Sequence, residues 1–134
     1  MEPTRLFPII AVLSLIGVES GGYALLGFLT TRTQEPGPFG QRLIRAGHAH
    51  AGVLLVLSLV YFLYLPRAEY SNGVEWLAGF ILVAGILGQS GGFFLHLWRG
   101  QEGESSVGTT VTRLGGVLLA AALIILAVGL IKTV

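Results

Sequence analysis

The chain has 134 residues, 53% of them hydrophobic and only 11% charged, with a net charge of +1 and no cysteine. Soluble domains carry about 25% charged residues, so this composition excludes an ordinary water-soluble globule. The missing cysteines exclude disulfides, thiolate metal sites and thioether-linked c-type haem, and no basic tract suggests nucleic acid as a partner.

Apolar runs predict four helices, at about 6–29, 43–65, 74–98 and 110–131. Each approaches the ~20 residues a helix needs to cross ~30 Å of hydrocarbon. A lipid-embedded backbone must satisfy its own hydrogen bonds, which makes helices the default. The short connections make sequence neighbours antiparallel. The expectation is an all-α integral membrane four-helix bundle, up-down-up-down, forming a single transmembrane domain over 1–134.

The first run follows Arg5 but is too long for a secretory signal and lacks a small-residue cleavage pattern, so it is expected to be a retained helix. It contains Glu19, the one formal charge inside the apolar windows 6–29, 46–65, 76–98 and 114–131 of these helices, together with Gly17 and Gly21. Pro36-Gly37-Pro38 then breaks the chain, and the second helix opens on RAGHAHAG, residues 45–52. A turn signal at Asn72-Gly73 precedes the third helix, which Trp76 and Trp98 bracket as interfacial residues do. Small residues recur every four positions at Ala84, Gly88 and Gly92, and again at Gly116 and Ala120 in the fourth helix. That spacing lets membrane helices approach closely, within the bundle or across a homo-oligomer. Arg32, Arg42, Arg45, Arg99 and Arg113 outnumber Arg5, Arg67 and Lys132 on the other side, which favours a cytoplasmic first loop in a bacterial inner or plasma membrane.

Alternation of the helices gathers Glu19, Ser20, His48, His50, Gln89, Ser90, His96 and Arg113 into one leaflet. The other leaflet is nearly bare, so the arrangement is an off-centre pocket, not a path across the membrane. Ionisable residues in spans are costly and point to function. Structural alternatives exist for each: His96 snorkelling to the interface, Glu19 protonated against a neighbouring helix, Gln89 bonding helix to helix. Residues two apart diverge by about 200° on a helix, so His48 and His50 cannot serve one ion. His50, the deeper, is the expected inward ligand, with His48 in reserve.

A lone histidine against an apolar wall suits haem iron. Arg45, Arg99 and Arg113 are placed to pair with the two carboxylates at the edge of haem b. Gly92 would offer the ring a smooth face, and Phe93 and Phe94 aromatic contact. His96 is the candidate second axial ligand, giving a bis-His cytochrome for electron transfer or sensing. A bare metal site of His50, His96 and Glu19 is the competing geometry, and a structural subunit of a larger complex is a further alternative.

RAGHAHAG opening the second of four membrane helices, with Gly91-Gly92-Phe93-Phe94 in the third, resembles the styrene oxide isomerase family. Those small four-helix membrane proteins hold a b-type haem through a histidine early in the second helix. The resemblance implies ferric haem acting as a Lewis acid, opening an epoxide to an aldehyde without net redox chemistry. It maps the ligand to His50 and places Phe94 where the family has a tyrosine near its small apolar substrate. Glu19 and Gln89 are the polar groups that would orient that substrate.

Overall fold

The computed structural model describes residues 1–31 and 37–133, with only the main chain at 28, 29 and 31. Arg32 and Pro36, used above for orientation and for the first break, lie outside the described residues. Four helices pack against one another: α1 (Pro3–Thr31), α2 (Pro38–Tyr64), α3 (Asn72–Arg99) and α4 (Val107–Lys132). All four are long and apolar enough to cross a membrane. Large apolar side chains such as Val53, Leu63, Leu87, Val117 and Ile131 stand exposed around the bundle. A helix surface of that kind is solvated by lipid, so this is a multi-pass membrane protein.

Each helix starts two to five residues before its predicted bound, and local chemistry explains the ends. Pro38 sits in the first turn of α2, where its missing N–H costs nothing and its fixed φ suits the helix. Ser106 caps α4, accepting from Gly108 N at 3.1 Å while its own N–H donates to Thr109 Oγ1 at 3.1 Å. That reciprocal box starts α4 three residues before the apolar run does. The expected turn at Asn72-Gly73 is corrected. Leu65–Ala68 forms a 3₁₀ turn, Glu69 takes the left-handed conformation at φ 51°, and Asn72 already begins α3.

α3 is the spine. Against α4 it lies so close that a Cβ on Gly115 would stand 2.2 Å from the Gln89 amide nitrogen. A Cβ on Gly92 would meet Thr112 Oγ1 at 2.2 Å, and one on Gly85 the Leu119 nitrogen at 2.9 Å. The small-residue expectation holds for Gly88 and Gly92, but Ala84 and Ala120 are exposed and Gly85 and Gly115 make the contact instead. α1 is packed on α2 more loosely, and nothing lies within 4 Å of the Cβ that Gly17 lacks.

The apolar core fills the leaflet away from the histidines. Phe7, from α1, stacks on Phe62 at 5.2 Å between centroids and meets Trp76 and Phe80 edge-on. Tyr61 and Tyr70 donate to the Ala122 and Ile125 carbonyls of α4 at 3.1 and 2.7 Å, tying α2 and the connection after it to α4. The glycine seam yields a direct test. Replacing Gly115 by Ala forces backbone apart and is expected to lower stability by about 2 kcal/mol or more. Gly91→Ala, where the added methyl meets open space, should stabilise α3 by up to ~1 kcal/mol. Reversible unfolding in detergent measures both, and equal effects would contradict the seam.

Candidate functional site

Gly47 sets the geometry of the histidines. It is buried against α3, where an added Cβ would meet Phe94 at 2.8 Å and Phe93 at 3.2 Å. With α3 facing Gly47, a rotation of about 100° per residue turns His48 to one flank of α2 and His50 about 60° to the other. The divergence expected from their spacing is therefore present. Both flanks are occupied, one by α1 and one by the α3–α4 side.

His48 takes the α1 flank. Its ring lies 3.4–3.6 Å from where a Cβ on Gly21 or Gly22 would be. It lines a cleft with Ser14, Gly17, Val18, Ser90 and Phe94. His48, not His50, is thus the histidine that faces the interior groove of α1, α2 and α3.

His50 takes the other flank. Its Nδ1 lies 2.8 Å from the Ala46 carbonyl oxygen, one turn back. A carbonyl only accepts, so Nδ1 carries a proton, and whenever the ring is neutral its lone pair is at Nε2. This is the arrangement by which proteins orient a ligating imidazole. Phe93 lies tilted against the ring at 5.0 Å, and the ring borders an open apolar groove on α2 with Ala49, Val53 and Leu54, of which Ala49 and Val53 are exposed.

His96 is held differently. Ser106 Oγ stands 2.6 Å from its Nδ1 and Thr109 Oγ1 3.5 Å. Each hydroxyl oxygen already accepts a backbone N–H of the α4 cap and has its own proton to place. Where the Ser106 hydroxyl donates to Nδ1, the His96 proton sits on Nε2. Gly100 and Gly108 make the room: a Cβ on either would strike His96 at 2.1 and 2.3 Å. His96 lines a cleft of about 360 Å³ with Phe93, Glu104, Thr109, Thr112 and Arg113. Phe93 therefore touches His50 on one side and this cleft on the other. Leu43, also in the cleft, lies seven residues before His50 on the same stripe of α2, about 10 Å away.

The remaining candidates scatter. Glu19 is exposed on α1, roughly 150° around the helix from the residues that line the His48 cleft. Gln89 turns to α4, its Oε1 3.6 Å from where a Cβ on Gly116 would be. Phe94 shares the His48 cleft, so Glu19, Gln89 and Phe94 do not form one constellation. Gly92 is spent on the contact with α4. Arg113 lines the His96 cleft, whereas Arg45 and Arg99 are exposed and line no cleft among those described. Arg42, not among the candidates, pairs with Glu102 across the connection before α4. Ser20 and Ser90 donate to the Ile16 and Ile86 carbonyls of their own helices.

Among the described residues no group of three His, Asp or Glu side chains converges, so the bare metal site of His50, His96 and Glu19 is not formed. Compared with known families, curated sequences and solved structures, the chain matches none. The two hydrogen-bonded histidines, His50 and His96, give a spectroscopic test. Nitrogen NMR of the ¹⁵N-histidine-labelled protein without added haem should show His50 protonated at Nδ1 and His96 at Nε2. Finding one tautomer at both would contradict the hydrogen-bond assignment.

Proposed function

We propose that the chain is a b-type haem protein of the membrane in which His50 is the axial ligand. The observation that carries this is the His50 ring itself: its Nδ1 is bonded to the Ala46 carbonyl, Phe93 lies against it at 5.0 Å, and it borders an apolar groove with Ala49, Val53 and Leu54. Apolar walls around a single oriented imidazole suit haem iron better than a hydrated ion, which would need several ligands. Arg113 and the Nε2–H of His96 would hold the two carboxylates at the cleft mouth, which narrows the arginine set to one. His96 then serves as a donor, not as a second axial ligand.

An iron with one protein ligand keeps a position open, and this favours an isomerase over a bis-His cytochrome. Ferric haem, when bound, would supply a Lewis acid to the oxygen of a small apolar substrate such as an epoxide. Phe93 and the aliphatic groove would keep water from that substrate. Glu19, with Tyr23 four residues on, lies on an exposed face of α1. An ionisable group there is expensive in lipid, which supports a homo-oligomer that covers it. The arginine bias supports placing the His96 end at the cytoplasmic face of a bacterial inner membrane.

Haem titration of the detergent-purified protein tests the reading. A Soret band should appear, vanish in His50→Ala and persist in His48→Ala. Loss of the His96 hydrogen bond should weaken haem affinity about tenfold in His96→Ala while the coordination spectrum stays unchanged. A wild-type protein that takes up no haem would overturn the proposal, and so would His50→Ala retaining it.

A further inference from the structure

The His48 cleft continues along α1. It shares Ser14, Leu55, Ile86 and Leu87 with a second cavity that ends at Phe7 and Phe62. The two have volumes of about 300 and 100 Å³. Together they reach the lower end of the ~300–1,000 Å³ typical of ligand sites. From Gly21 to Phe7 the groove follows fourteen residues of α1, about 20 Å. Its side is open to the bilayer past Gly17 and Leu87, both exposed.

Its polar groups are unevenly placed. Ser58 and Ser90 spend their hydroxyls on the Leu55 and Ile86 carbonyls, at 2.6 Å each. The His48 ring has no hydrogen-bond partner among the described residues. A histidine ring donates from one nitrogen and accepts at the other, and leaving both unmet in an apolar setting is costly. The groove is thus a long, mainly apolar trough with the His48 ring at one end, the exposed Ser14 hydroxyl midway at its open side and an aromatic stop at the other end.

We propose that this groove binds an elongated apolar molecule with a single small hydrogen-bonding head, a hydroxyl or a carbonyl. The head meets His48 and the chain runs along α1 towards Phe7. This site is separate from the His50 groove, on the opposite flank of α2, and does not depend on haem. Depth decides against a phospholipid. His48 lies ten residues into α2, about 15 Å from its start. A helix of 27 residues exceeds the ~30 Å hydrocarbon layer by about 5 Å at each end, so His48 is roughly 10 Å below the headgroups. A charged phosphate ester does not reach that depth, whereas an uncharged head does.

Photolabelling in phosphatidylcholine nanodiscs tests this, with a diazirine-bearing hexadecanol as one probe and a phosphatidylcholine carrying the diazirine on its acyl chain as the other. The alcohol should label α1 and α3 peptides lining the groove, and unlabelled hexadecanol should compete. His48→Phe should reduce labelling about tenfold, the worth of one buried hydrogen bond, and His48→Gln should restore it. Gly17→Leu, whose side chain enters open space, should block the trough while leaving helix content unchanged. Equal labelling by the phospholipid probe, insensitive to His48→Phe, would show that bilayer chains fill the groove and would overturn the proposal. Labelling by the alcohol that ignores both substitutions would overturn it too.

Discussion

The contact on which the rest of the structure depends is the backbone seam between α3 and α4. Gly85, Gly88 and Gly92 meet Gly108 and Gly115 so closely that most added Cβ atoms would strike backbone. In lipid no hydrophobic force holds helices together, so close packing of this kind must do it. Once α4 covers one side of α3, Phe93 and Phe94 are left to face α2. They part around Gly47, and the two histidines part with them. The α4 N-cap also lands on His96, because Gly108 lets the chain pass over that residue's backbone.

The seam also explains why the two flanks of α2 differ in character. On the α4 side the helices are locked, and His50 and His96 each have a ring nitrogen committed to a fixed partner. A ligating group needs such restraint, since a wandering imidazole loses affinity. On the α1 side the packing is loose, with open space at Gly17 and a His48 ring that has no hydrogen-bond partner among the described residues. An adaptable apolar cleft results there. One helix thus serves two unlike surfaces, and the spacing of two residues between the histidines is what allows it.

Much of the fold was legible because lipid imposes it: four apolar runs of spanning length permit little but four helices. The ends were less so. Ser106 and Thr109 lie in a polar stretch, and their capping role depends on a hydroxyl where a Glu or Gln is the usual signal. Spacing of four identified Gly88 and Gly92 but misplaced their companions, since periodicity fixes a stripe without saying which stripe meets the neighbour. The divergence of His48 and His50 followed from helical rotation alone. Which of them faces the interior did not, because both flanks of α2 are covered and hydropathy does not distinguish α1 from α3. The tautomers of His50 and His96 depend on Ala46 and Ser106, partners visible only once the chain is folded.

The central claim is that the lone pair at His50 Nε2 holds the iron. Removing the ring while returning its chemistry tests that most directly. His50→Gly protein is titrated with haem in the absence and presence of free imidazole. The account predicts that imidazole restores the wild-type absorption spectrum, while the same treatment leaves a His48→Gly control unchanged. Haem bound with a wild-type spectrum by His50→Gly without imidazole would contradict it.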